Sequence, residues 1–125
     1  MVSISESIEV KLADFGFATV LGDNGCVNYY CGTPLYMAPE ILNSKKYNYK
    51  ADIWAVGISL FITLYGYHPF KPISLRDLTL KINQGMIQID ETMHLSKTCL
   101  DFLSKSLIYE PDDRITIDHA LNHPF

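Results

Sequence analysis

The residue types that could do chemistry fall into two groups. The first is Asp14-Phe15-Gly16, a carboxylate followed within two positions by a turn-forming glycine. Alone, this tripeptide reads equally well as a tight turn after a strand. The second is nominally metal-binding: Cys26 and Cys31, with His119 and His123 one helical turn apart, are four possible zinc ligands. A compact finger separates its ligand pairs by about 12 residues, whereas these pairs lie near opposite ends of the chain. Helix-end histidines, which complement the helix dipole, account better for His119 and His123. Three cysteines cannot all pair within one chain, and the first residues, Met-Val-Ser-Ile-Ser-Glu-Ser-Ile-Glu, lack both the basic and the apolar region of a signal peptide. A reducing intracellular compartment, the cytoplasm, is the expected setting.

The elements that must position such residues can be read from periodicity. Ile8-Glu9-Val10-Lys11-Leu12 alternates apolar with charged and predicts a short half-buried strand before Asp14. From Phe17 to Tyr36 no period holds, and loops longer than about 12 to 15 residues in compact domains tend to be functional. Pro39 to Asn43 predicts one or two helical turns, with Pro where its missing N–H costs nothing. Ile53 to Tyr65 is apolar nearly all round, which means either a membrane span or a buried central helix. It is shorter than the ~20 residues a span needs, so a core helix is predicted, with Asp52 at its start and Gly66 at its end. Ser74 and Asp77 have capping spacing for a helix bearing Leu75, Leu78 and Ile82 on one face and closed by Gly85. Further helices are predicted from Ser96 to Ile108, carrying Cys99, Leu103 and Leu107 and an Asp101–Lys105 pair, and from about Thr116 to Leu121.

The chain has 125 residues, 48% hydrophobic and 19% charged, which suits one globular domain or a part of one. With 10 Lys+Arg against 14 Asp+Glu the net charge is -4, and no like-charge run forms a basic stripe. Nucleic acid and anionic membrane are therefore not expected partners, and no transmembrane segment is expected.

A second block changes the weight of Asp14. Gly32-Thr33-Pro34-Leu35-Tyr36-Met37-Ala38-Pro39-Glu40 closes the long loop that Asp-Phe-Gly opens. Together they resemble the activation segment of a protein kinase, bounded by its Asp-Phe-Gly and Ala-Pro-Glu signatures. Asp52-Ile53-Trp54-Ala55-Val56-Gly57 is similar to the start of that family's central helix. Asp113-Arg114-Ile115-Thr116, with Asn122-His123-Pro124-Phe125, is similar to the end of its C-terminal lobe. The resemblance, to eukaryotic-type serine/threonine kinases, covers nearly the whole chain and implies a mainly α fold: a partial kinase domain over 1–125, with an activation segment at 14–40 and a helical C-terminal lobe at 41–125. The Val10 to Ala18 stretch and Gly66-Tyr67-His68-Pro69-Phe70 look most like the calcium/calmodulin-dependent or autophagy-initiating kinases.

The resemblance also implies roles. Asp14 would hold Mg²⁺ against the phosphates of ATP, Phe15 would pack to set the active or inactive orientation, and Gly16 would be the joint beside it. Gly32, Thr33 and Pro34 would shape the substrate pocket for a protein Ser/Thr. Glu40 and Arg114 would pair to tie the segment to the lobe, and Asp52 would either accept hydrogen bonds from the catalytic-loop backbone or be an ordinary helix N-terminal carboxylate favoured by the macrodipole. Trp54 and Gly57 belong to the same structural set. Where many such kinases carry a phosphorylated Thr, this sequence has Tyr29, with Tyr30 beside it: either the switch is tyrosine-based or the loop is ordered without phosphate, and the second is expected, with loop tyrosines as packing anchors.

Other parts of the family pattern are missing from the 125 residues. There is no Gly-x-Gly, no strand lysine before Asp14 and no His-Arg-Asp. Phosphoryl transfer needs many groups positioned at once, so a C-terminal portion of a kinase, from a truncated gene model, split gene or fragment, is expected to be inactive alone and to bind neither Mg²⁺ nor ATP tightly. The alternative is a non-catalytic binding or regulatory module, using the groove around Thr33 and the helix near Leu75 to Ile82 to hold a protein partner or to compete with a full-length kinase.

Overall fold

The computed structural model describes residues 11–22, 25–87, 89–90 and 92–125. Among these, order comes from helices: α1 (Pro39–Leu42), α2 (Lys50–Tyr65), α3 (Leu75–Asn83), α4 (Lys97–Ser106) and α5 (Ile117–Leu121), preceded by one 3-10 turn at Pro34–Tyr36. The architecture is mainly α, as expected of a kinase C-terminal lobe. Extended pairing among the described residues is a single antiparallel bridge between Val27 and Tyr47. The strand expected at 8–12 lies mostly outside the described residues. Its described end, Lys11 and Leu12, is irregular, with the Leu12 side chain 87% exposed and no sheet beneath it.

The central helix begins at Lys50, before Ile53; Tyr49 stands at its N-cap, and Asn48 Oδ1 just ahead of it accepts the Lys50 N–H at 2.9 Å. It ends at Gly66, whose φ of 74° is left-handed and whose N–H returns to the Ile62 carbonyl at 2.8 Å. A residue with a Cβ would be strained there. Trp54, Ile58 and Phe61 form the buried spine of α2. Leu78 and Ile82 of α3, Cys99 and Leu103 of α4, and Met37, Ala38 and Ile41 around α1 close over it. Each large aliphatic or Phe side chain among them, fully buried, contributes about 1.5–3 kcal/mol of transfer free energy.

Two expectations about faces are corrected. Leu75 is 49% exposed rather than buried with Leu78 and Ile82, because it stands at the first position of α3. The apolar run of α2 is buried on one side only. Val56 is 50% exposed, and the exposed Ser59 and Thr63 hydroxyls turn back to the Ala55 and Ser59 carbonyls at 2.8 Å each. No described element covers that face.

The shorter helices start where serine and threonine caps satisfy orphan N–H groups. Ser74 Oγ accepts from Asp77 N–H at 3.1 Å, Ser96 Oγ from Cys99 N–H at 3.1 Å, and Thr116 Oγ1 from His119 N–H at 3.3 Å. Gly85, φ 65°, follows the end of α3 in the left-handed conformation. The Lys105 ammonium and the Asp101 carboxylate pair across one turn of α4 at 2.7 Å.

α2 crosses the end of α4 at a glycine with no room for a side chain. A Cβ on Gly57 would stand 2.5 Å from Ser106 Oγ and 2.9 Å from Leu107 Cδ2. Both neighbours are buried and cannot swing away. Gly57→Ala is therefore expected to destabilise the chain by about 1–3 kcal/mol, the usual cost of overpacking, read as a lower denaturant midpoint at unchanged slope. An unchanged midpoint would mean the two helices are not in contact there.

Candidate functional site

The segment running from Asp14 to Glu40 is tied to the helical body at its far end by one guanidinium. Arg114 follows the Glu110-Pro111-Asp112-Asp113 turn and is 1% exposed. Its Nη1 and Nη2 donate to the two carboxylate oxygens of Glu40 at 2.8 and 3.0 Å. Nη1 also donates to the Lys50 carbonyl at 2.8 Å, Nη2 to the Tyr109 carbonyl at 3.1 Å and Nε to the Ile108 carbonyl at 3.0 Å. All five N–H donors of an arginine are thereby satisfied. The Trp54 ring lies under the guanidinium carbon at 5.2 Å and stacks against Phe70. The sequence separation of the pair is 74 residues, and burying either charge alone would be costly.

Upstream of this anchor the chain folds over an open cleft of about 590 Å³ whose lining includes Asp14, Phe15, Gly32, Thr33, Tyr47 and Asp52. Four separate sequence blocks thus meet at one place. Asp14 takes a left-handed backbone, φ 62°, which Asp tolerates better than most residues. Its Oδ1 accepts the Gly16 N–H at 3.2 Å. Phe15 is 68% exposed, Thr33 is exposed, and Pro34 opens the 3-10 turn just outside the cleft lining. Asp52 is open to solvent on one side and enclosed by the cleft wall on the other; the lost hydration raises its carboxyl pKa. Among the described residues its carboxylate has no hydrogen-bond partner.

Several contributors carried no sequence signal. Tyr47 pairs its backbone with Val27 at 2.9 and 3.0 Å, and its hydroxyl lies 3.9 Å from Cys31 Sγ. Burial first, then the Cys31 contact, raises the Tyr47 pKa. A lone bridge has no periodic pattern, so nothing in the sequence marks this strut. The expectation that Tyr29 and Tyr30 are packing anchors is not met: they are 64% and 55% exposed, because the segment arches away from the core. The three cysteines form no disulfide. Among the described residues no group of three or more His, Cys, Asp or Glu is placed to hold a metal. His123 instead pairs with Asp101 at 2.9 Å. Asp14 remains a suitable single ligand for a hard cation, its Oδ2 accepting from no donor among the described residues. No helix among the described residues is long and apolar enough to cross a membrane.

This combination of a helical body, a buried Glu–Arg tie and a segment arching from Asp-Phe-Gly to Ala-Pro-Glu is a protein kinase arrangement. Residues 2–125 match the protein kinase domain family, and the chain belongs to it. It is similar to the DNA damage response protein kinase DUN1 of Saccharomyces cerevisiae, 39% identical over 127 residues that cover 94% of this chain and 24% of that protein. It is similar to the serine/threonine-protein kinase atg1 of Botryotinia fuckeliana, 40% identical over 126 residues covering 99% of this chain and 13% of that protein. Myosin light chain kinase A of Dictyostelium discoideum is 33% identical over 120 residues, covering 94% of this chain and 41% of its own length. The chain thus spans less than half the length of each of these relatives.

The raised pKa of Asp52 has a testable sign. A carboxyl whose folded pKa lies above the ordinary 3.8 binds its proton more tightly when folded, so the chain loses stability as pH rises from 3.8 through the raised value. Asp52→Asn should then raise the melting temperature at pH 7, with the gain disappearing as pH falls through that window. A variant that is less stable at pH 7 would show that the charge is favourably solvated where it stands.

Proposed function

We propose that this chain is the C-terminal part of the catalytic domain of a serine/threonine protein kinase, which transfers the γ-phosphate of ATP to hydroxyls of protein substrates. The observation that carries the reading is the meeting of Asp14, Phe15, Gly32, Thr33 and Asp52 at one cleft, with Glu40 and Arg114 locking the segment behind it. In this reading Asp14 Oδ2 is one Mg²⁺ ligand, and the left-handed Asp14 backbone with its Gly16 contact aims it into the cleft. The ion, when bound, neutralises charge on the phosphates. Phe15 and Gly16 form the adjustable joint. Gly32, Thr33 and Pro34 border the pocket for the substrate residue next to the phosphoacceptor. Asp52, unpartnered and partly desolvated, accepts backbone N–H groups of the catalytic loop, which would lower its pKa again. The setting is intracellular.

We also propose that these 125 residues do not transfer phosphate by themselves. They contain no His-Arg-Asp base and no Gly-rich phosphate loop, and one carboxylate cannot supply the positioning and charge stabilisation the reaction needs. A second reading, a non-catalytic module that binds a protein partner, draws on the exposed Phe15, Phe17 and Val20 beside the cleft.

The test is phosphotransfer and nucleotide affinity measured in parallel. The purified chain should give no labelled product from radioactive MgATP and peptide and no calorimetric heat at micromolar ATP. The longer kinase carrying this segment should phosphorylate Ser/Thr peptides and lose that activity with Asp14→Asn. Micromolar MgATP binding by the chain alone would contradict its predicted inactivity, and an Asp14→Asn kinase of full activity would contradict the assigned role.

A further inference from the structure

The Pro34–Tyr36 turn is exposed, and its internal closure is slight: Tyr36 N–H to Thr33 O at 3.0 Å and Met37 N–H to Pro34 O at 3.1 Å. It is held from outside by His68, which lies beyond the end of α2. The imidazole Nε2 stands 2.7 Å from the Leu35 carbonyl oxygen, and Phe70 N–H points to Nδ1 at 3.2 Å. A carbonyl can only accept and a backbone amide can only donate. The two partners therefore require a hydrogen on Nε2 and a lone pair on Nδ1, which is the neutral imidazole in one tautomer. An added proton has only Nδ1 to occupy, where it would meet the Phe70 N–H.

The ring is half-buried and lies 5.8 Å from the ring of Phe70, which is 1% exposed and stacks on Trp54. Leu35 is thus linked through His68, Phe70 and Trp54 to the Arg114 tie. Burial lowers the His68 pKa, and the Leu35 carbonyl opposes this only in part. Charged and titratable groups of the neighbouring elements are engaged elsewhere. Lys71 in the same loop sits over the Tyr67 ring at 3.9 Å, Asp77 and Lys81 of α3 pair at 2.9 Å, Arg114 beneath Trp54 is paired with Glu40, and the turn itself brings only Tyr36.

We propose that His68 is a positioning residue for the turn beside Thr33: as a neutral imidazole it fixes the Leu35 carbonyl and with it the substrate-facing backbone, while protonation at Nδ1 leaves Nε2–H a donor but sets a second donor against the Phe70 N–H, turning the ring off Phe70 and so loosening its hold on Leu35. The substrate-facing part rests on the kinase reading above; the latch itself does not. A folded pKa below the ordinary 6.5 means the unfolded chain binds the proton first, so the latch's stability is fully present above 6.5 and is lost as pH falls toward the folded value.

Nuclear magnetic resonance of the 125-residue chain from pH 8 to 5 tests this, following the His68 ring nitrogens and the amides of Phe70 and Tyr36, the latter sharing a peptide unit with the Leu35 carbonyl. Expected are one common midpoint below 6.5 for all three and a single Nε2–H tautomer above it. His68→Gln keeps a donor for Leu35 and should hold the Tyr36 amide near its neutral-pH position at every pH. His68→Asn keeps only an acceptor for Phe70 N–H and should leave Tyr36 displaced at every pH. A His68 midpoint at or above the ordinary value, or a Tyr36 amide unmoved by titration and by His68→Asn, would overturn the latch. In the longer kinase, His68→Asn should raise the peptide KM about 2- to 10-fold, the range expected for one lost hydrogen bond, with kcat little changed and His68→Gln close to wild type. An unchanged KM alongside a moving Tyr36 amide would overturn the substrate-facing role and leave the latch standing.

Discussion

The far end of the segment that faces the cleft is fixed to the helical body by the guanidinium of Arg114. It is a buried charge whose hydrogens all have acceptors: both oxygens of Glu40, and the carbonyls of Lys50, Ile108 and Tyr109. Those five bonds join the end of the Asp14–Glu40 segment, the start of α2 and the turn after α4. A well-packed apolar cluster could match the stability of such an ion pair, but it could not fix three backbone segments in register at once. The planar fork of arginine suits that task, and a lysine ammonium does not present the same five directions.

From that point the order passes outward. Trp54 covers the guanidinium and stacks with Phe70. Phe70 donates its N–H to His68, and His68 holds the Leu35 carbonyl. At the other end Gly57 lets α2 approach Ser106 and Leu107 more closely than any side chain would allow. The buried side of α2 is therefore tightly determined, while its opposite face, with Asp52 and Val56, and the aromatic residues Phe15, Phe17, Tyr29 and Tyr30 stay exposed. The segment is thus rigid below and open above, a division that suits the role proposed for it.

Much of this was legible in the sequence, and the reasons differ by residue. The apolar run of α2, the Ser74 cap, the helical spacing after Ser96 and the Asp101–Lys105 pair are local patterns with local causes, and the helices begin and end close to where those patterns place them. The kinase blocks gave Asp14, Thr33, Glu40, Asp52 and Arg114, which reach one another only through tertiary folding. Other features depend on contacts that leave no local trace. The Val27–Tyr47 bridge, the exposure of Leu75, the open face of α2 and the double use of the His68 ring were not readable, because each depends on which distant residue stands opposite. Tyr29 and Tyr30 were misjudged for the same reason: an aromatic residue looks like an anchor until the path of its loop is known.

The central claim is that the Glu40–Arg114 pair is a coupled tie and not a coincidence of burial. A double-mutant cycle of Glu40→Gln and Arg114→Lys, read by denaturant unfolding of the chain, isolates that coupling. The account predicts a coupling of about 2–3 kcal/mol, the upper end for residues in direct contact. A coupling below about 0.5 kcal/mol, as found for independent sites, would contradict it.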